Sequence, residues 1–152
     1  MAEPVDLREV SQCTCFRLRR AARRTTQLYD QLLAPAGLTV GQFSLLAHLL
    51  DPGAPARGGT SVGALSDRLG MDPTTLSRNL KPLMADGLVA EGTDPQDRRR
   101  RVLSITRAGR RRFCAAVPRW RQAQARMARS LGDDTLLAMN GLLDRTVARL
   151  GG

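Results

Sequence analysis

Apolar residues recur every three or four positions along most of the chain, a spacing that predicts helices. Between Ser61 and Thr106 the pattern changes character. Val62, Leu65 and Leu69 form a short stripe that opens at Thr60 or Ser61, either of which can cap a helix, and stops at Gly70. Asp72 then precedes Pro73, a cap followed by a first-turn proline whose missing N–H costs nothing there. Leu76, Leu80 and Leu83 follow at i, i+4 and i+7, with Pro82 expected to bend the helix before it ends near Gly87. Leu88-Val89-Ala90 predicts a short strand, Glu91 to Asp97 a polar turn, and Arg101 to Thr106 the returning strand. Helix, turn, helix and hairpin in succession make a winged helix-turn-helix.

Longer helical patterns flank this stretch. From about Leu7 to Ala34 the apolar positions, among them Val10, Phe16, Leu18, Leu28 and Leu33, predict one long helix with arginines opposite, closed by Pro35-Ala36-Gly37. Thr39 caps a second helix whose core positions are Phe43, Leu45, Leu46, Leu49 and Leu50. Asp51 to Gly59 is a Pro/Gly-rich connector expected to be flexible. After the hairpin, Thr106 caps a helix from about Arg107 to Ser130 that Pro118 should bend. The last helix, roughly Asp133 to Leu150, has Leu136, Leu137, Met139, Leu142, Leu143, Val147 and Leu150, too many apolar residues for one buried face. That surplus predicts a subunit interface. The expected fold is mainly α: one domain over 1–152, with a winged helix-turn-helix lobe at 60–106 and dimerisation helices at 7–50 and 107–150.

A formal charge of +10 and a pI near 11.3 point to a polyanion as partner, and the distribution sharpens that. From Arg98 to Arg129 there are twelve arginines and no acidic residue. Opposite its leucine stripe the second helix of the motif carries Pro73, Thr74, Thr75, Ser77, Arg78, Asn79 and Lys81, short polar groups and cations suited to base edges and phosphates. At the hairpin tip Asp97, Arg98, Arg99 and Arg100 are expected to contact the minor groove and phosphates, since packed like charges repel unless a polyanion is near. Standing alone, such a run would be a solvated basic turn. Directly after a helix-turn-helix it favours DNA.

Other chemistry finds little to work with. There is no Gly-rich phosphate loop, nucleophile elbow or HExxH, so no enzyme and no cofactor is expected. Cys13-x-Cys15 with the lone His48 leaves a metal-ligand set incomplete. No apolar run approaches a membrane span, Met1 to Glu9 has no leader pattern, and a cytoplasmic location with Cys13, Cys15 and Cys114 as free thiols is expected.

The order DPTTLSRNLKPLMADGLV followed by DPQDRRRRVLSITRAG resembles the recognition helix and wing of the MarR (multiple antibiotic resistance regulator) family, and LTVGQFSLLAHL matches the family pattern too. The resemblance extends over nearly the whole chain. It implies a homodimer whose recognition helices enter successive major grooves of a pseudo-palindromic operator in double-stranded DNA while the wings track the flanking minor grooves. It further implies that Asp97 orients Arg98 or Arg99, and that the first helix and the last two interlock between subunits. The expected function is a sequence-specific transcriptional regulator, a repressor released by a small ligand or by cysteine oxidation. The alternative is a non-specific architectural DNA binder, which would show no preference for one palindrome in excess genomic DNA.

Two switches are open. The stretch CFRLRRAARRTTQLYD resembles the first helix of the organic-hydroperoxide-sensing branch of the family, which implies that Cys15 senses peroxide; Tyr29 matches a tyrosine of that branch, and Arg19 replaces a second one. Arg17, Arg19 and Arg20 near a helix N-terminus would favour the thiolate. Cys114 could resolve an oxidised Cys15 only if folding or dimerisation brings it close, and Cys13 and Cys15 are not expected to bridge within one helix. Against this, free cysteines are usually small buried hydrophobes. The competing switch is a small aromatic or carboxylate ligand between dimer base and DNA-reading lobe, with Arg19, Arg23, Tyr29, His48 and Trp120 around it.

Overall fold

The computed structural model describes residues 6–50 and 59–150, so all of the expected flexible connector except Gly59 lies outside the described residues. The order is α1 (Leu7–Ser11), α2 (Thr14–Leu33), a 3-10 turn (Ala34–Ala36), α3 (Val40–Leu50), β1 (Thr60–Ser61), α4 (Val62–Leu69) and α5 (Pro73–Ala85). The chain continues through β2 (Val89–Thr93), β3 (Arg101–Ile105), α6 (Arg107–Leu131) and α7 (Asp133–Leu150). The three strands form one antiparallel sheet in the order β1-β3-β2.

The long first helix is broken. The Gln12 amide bonds back to the carbonyls of Arg8 and Glu9, and Cys13 takes a non-helical backbone as the cap residue of α2. Leu7 and Val10 stay exposed, so no packing holds α1 in line with α2, and a five-residue helix has little stability of its own. The argument that separated Cys13 from Cys15 as two positions on one helix therefore no longer applies.

The caps fall where side-chain chemistry places them. Ser61 Oγ accepts from the Ala64 amide at 3.2 Å, while Thr60 pairs with Leu103 in a two-residue strand too short to show any alternation. Thr39 and Gln42 form a reciprocal capping box at 3.2 and 2.9 Å, and Asp30 Oδ1 also accepts from the Val40 amide at 2.7 Å. Thr106 Oγ1 accepts from the Gly109 amide at 3.0 Å and donates to the Gly87 carbonyl at 2.7 Å, tying the start of α6 to the end of α5. Helix α5 stops at Ala85, two residues short of Gly87, and Gly87 turns the chain into β2 at φ +67°.

The hairpin is longer than the apolar pattern implied. Only Val89 of β2 is buried, yet pairing with β3 carries the strand to Thr93 in the register Glu91↔Leu103 and Thr93↔Arg101. Glu91 is thus a strand residue, and the turn runs from 94 to 100.

Leu33, Leu45, Leu46, Leu65, Leu76, Leu83 and Leu103 are fully buried and join α2, α3, the helix-turn-helix and the sheet into one core. Phe43 of α3 stacks on Phe113 at 4.7 Å and on Trp120 at 6.0 Å, fastening α3 to α6. By contrast α7 has no buried residue and leaves Leu137, Leu142, Val147 and Leu150 exposed. No single described helix is long and apolar enough to cross a membrane.

Candidate DNA interface

Helix α5 begins on Asp72, whose Oδ1 accepts from the amides of Thr74 and Thr75 at 3.0 Å each and whose Oδ2 accepts the Thr75 hydroxyl at 2.6 Å. The Thr75 hydroxyl, then the Thr75 amide, hold this carboxyl below its ordinary pKa. Because the folded value is depressed, the cap is at full strength above the ordinary carboxylate pKa and weakens only as pH falls through the lowered one. Leu76, Leu80 and Leu83 bury one side of α5, which leaves Pro73, Thr74, Thr75, Ser77, Arg78 and Lys81 exposed. The Thr75 hydroxyl already donates its hydrogen bond to Asp72, so Thr74, Ser77, Arg78 and Lys81 are the outward donors.

Asn79 does not join them. Its Nδ2 donates to the Thr75 carbonyl at 3.0 Å, and its Oδ1 lies where a side chain on Gly41 of α3 would have to go. It fits α5 to α3 and is half-buried, because it sits at the edge between the leucine stripe and the polar face.

In the wing, carboxylates fold the turn back on itself. Asp94 Oδ1 accepts from the Gln96 amide at 2.9 Å and Asp97 Oδ1 from the Arg99 amide at 3.0 Å. Asp97 therefore shapes the backbone, where the resemblance had it orienting the side chain of Arg98 or Arg99. The guanidinium held in place is that of Arg100: Nη2 donates to Ser61 Oγ at 3.3 Å, and Nη1 lies 3.8 Å from Asp94 Oδ2. Arg101 Nε pairs with Glu91 Oε1 at 3.1 Å across the hairpin. Sequence reasoning missed Ser61, Glu91 and Asp94 in these roles; Glu91 alone had a signal, an acid and a base on the two arms of one hairpin. Arg98 and Arg99 project freely outward, with no side-chain bond among the described residues.

This division of labour has a measurable form. Arg99→Ala should lower the slope of log Kobs against log[salt] by about one per lost contact, whereas Arg100→Ala should weaken binding with the slope nearly unchanged. Equal slope changes in the two variants would make Arg100 a phosphate contact instead of a strut.

The expected effector residues do not converge. Arg19 and Arg23 are exposed on α2, His48 Nδ1 donates to the Ser44 carbonyl at 2.8 Å, and Trp120 stacks in the core. None of the four lines a described cleft. Of that set only Tyr29 does: a cavity of about 450 Å³ opens between α2, α6 and α7, where the Tyr29 hydroxyl donates to Gln124 Oε1. Tyr29 also stands fourteen residues beyond Cys15 on one helix, roughly 21 Å along its axis, so it does not meet that thiol within the chain. Cys13, Cys15 and Cys114 are all exposed, which overturns the expectation of buried hydrophobes. No group of three or more metal-ligating side chains occurs among the described residues.

A family model described as MarR family matches residues 36–100, from the 3-10 turn after α2 to the wing turn. The structure of the M. tuberculosis transcriptional regulator MosR in complex with DNA is similar to this chain at 38% identity and a TM-score of 0.72, over 91% of this chain and 93% of that one. The chain belongs to the MarR family. The HTH-type transcriptional repressor NicR of Pseudomonas putida is 29% identical over 130 residues, 86% of this chain and 79% of NicR. BpsR of Bordetella bronchiseptica, solved in a study of how 6-hydroxynicotinic acid regulates its DNA binding, is 27% identical with a TM-score of 0.77 over 95% of this chain and 97% of that one. The MarR recognition helix and wing expected from the sequence are α5 and the β2–β3 hairpin.

Proposed function

We propose that this MarR-family transcriptional regulator binds a pseudo-palindromic operator as a homodimer and represses transcription, acting by binding alone with no catalytic step. One observation carries the reading. Ser77 and Lys81 of α5 line the same groove as Glu91 and Leu103 of the wing, so the polar helix face and the arginine-tipped hairpin form one continuous surface. Helix α5 enters the major groove through Thr74, Ser77 and Arg78, and Arg98 and Arg99 reach the flanking minor groove. The test is to sequence the genomic fragments that the protein retains in excess competitor DNA. Wild type should enrich one palindrome, and Arg78→Ala should relax that preference by ~1–3 kcal/mol at the contacted base. Retention without any enriched sequence would make this an architectural DNA binder.

Release from DNA has two candidate triggers. The 450 Å³ cavity is of a size for a small aromatic acid, the class to which the effector of BpsR belongs, with Asn140 and the Tyr29–Gln124 pair as polar groups among Leu18, Leu136 and Met139. Burial raises the pKa of Tyr29, which keeps the phenol a neutral donor. The other trigger is Cys15, exposed in the first turn of α2 and at i, i+3 and i+7 with Leu18 and Ala22 on the cavity side. Oxidation there would add a polar group beside that cavity. Cys15→Ser should abolish peroxide-induced release while leaving release by an aromatic acid intact. If the serine variant still lets go on peroxide, the thiol is not the sensor.

A further inference from the structure

The winged lobe leaves a second concentration of positive charge unexplained. Helix α2 carries Arg17, Arg19, Arg20, Arg23 and Arg24 within two turns, all exposed, and among the described residues none has a carboxylate at ion-pair distance. The one acidic residue of α2, Asp30, is engaged with the Val40 amide. At 100° per residue the five arginines fill the arc opposite Leu18, Ala22, Thr25 and Tyr29, the residues turned towards α6 and α7. The arginine face is thus turned away from the body of the protein. It is also remote from the DNA-reading surface: Arg24 to Arg17 lie roughly 13–24 Å along α2 from Leu33, the end where the helix meets α3 and through it α5.

We propose that this face is a second, sequence-independent phosphate-binding surface that holds a DNA duplex other than the operator. Three arguments favour it. An arginine patch set against its own copy across a two-fold axis would repel itself, which disfavours this face at the centre of a subunit interface. Half-exposed Phe16 is the one apolar side chain among its five guanidiniums, whereas protein partners bind by clusters of aromatic and aliphatic anchors. Phosphate backbone needs only the cations: Arg17 to Arg24 spans about 10 Å, a length over which a duplex presents about six phosphates. A dimer would display the face twice, so that a regulator seated on its operator can bridge to neighbouring DNA.

The test uses the full chain on a bead-bound duplex carrying its selected palindrome, with a fluorescent duplex lacking the palindrome in solution. Wild type should capture the second duplex at 50 mM salt and release it steeply as salt rises. Arg17→Gln/Arg20→Gln/Arg24→Gln should cut that capture about tenfold while operator affinity changes less than twofold. The reverse variant Arg17→Glu/Arg20→Glu/Arg24→Glu should remove it, and unchanged circular dichroism would show that both fold. Equal capture by wild type and the glutamine variant, or none by wild type, overturns the proposal. Capture of fluorescent poly-glutamate in place of the duplex also overturns it and assigns the face to an acidic protein. Operator binding is read from the beads in the same experiment, so loss of the regulator reading is seen separately from loss of this one.

Discussion

Val147→Glu combined with Leu150→Glu should turn the protein monomeric and lower its operator affinity by about 10²–10⁴-fold, the usual gain from joining two binding modules. Leu136, Met139, Leu143, Val147 and Leu150 follow one another at i, i+3, i+7, i+11 and i+14, a single stripe along α7. Its first half lies over the cavity that α7 forms with α2 and α6. Its second half has nothing of its own chain beneath it: Val147 is 72% and Leu150 79% exposed. The whole chain exposes 11185 Å², against roughly 7,600 Å² for a compact monomer of its mass, an excess that calls for an extensive interface of the obligate-homodimer class, about 2,000–5,000 Å² in total, over one of standard size. Because both residues are already solvated in the single chain, charge there does not disturb the monomer fold. Sedimentation velocity and operator titration on the same sample check the two halves of the prediction. A variant that stays dimeric removes α7 from the interface, and a monomer with undiminished affinity removes the two-site model of recognition.

How much of this was legible beforehand depends on the kind of signal. The leucine stripes of α3, α4 and α5 fixed helix and buried face together, because burial demands the 3.6-residue period that the eye detects. Caps at Ser61, Asp72 and Thr106 were legible because a short side-chain oxygen ahead of an apolar run has a specific use. The break at Gln12 and Cys13 was not, since neither Pro nor Gly marks it and it follows from what α1 fails to touch. Four identical arginines in a row cannot be told apart by type. Only the hairpin register turns Arg101 to Glu91 and Arg100 to Ser61 while Arg98 and Arg99 face outward. Asn79 misled for a related reason: at the edge of a stripe, the side chain goes where a neighbour leaves room, and Gly41 leaves it. The effector residues were the least legible, because a cavity between three helices is a property of their packing and none of the three announces it alone.

Gly109→Ala tests the junction between the DNA-binding lobe and the long helix, and it should go against helix propensity. In an open helix the change would stabilise by about 1 kcal/mol, since alanine is the best helix former and glycine among the worst. Here the new Cβ would overlap the Leu88 carbonyl oxygen and lie 2.7 Å from Cγ1 of Ile105. That carbonyl cannot simply move aside, because it accepts from the Thr106 amide at 3.0 Å, a bond that joins the start of α6 to the turn after α5. Either the clash stands or α6 lifts off the lobe and the junction loosens. The expected net loss is ~1–3 kcal/mol, the range for overpacking, or a fall in Tm of roughly 3–10 °C. Gly63→Ala is the control: its methyl would meet nothing within 4 Å, so Tm should hold or rise slightly. The two substitutions are chemically identical and both helical, and only the contact differs. Equal melting shifts would show that α6 does not pack on Leu88 as described. A lower Tm in Gly109→Ala with weaker operator binding at temperatures where it is still folded would show that this junction also sets the spacing of the two recognition helices.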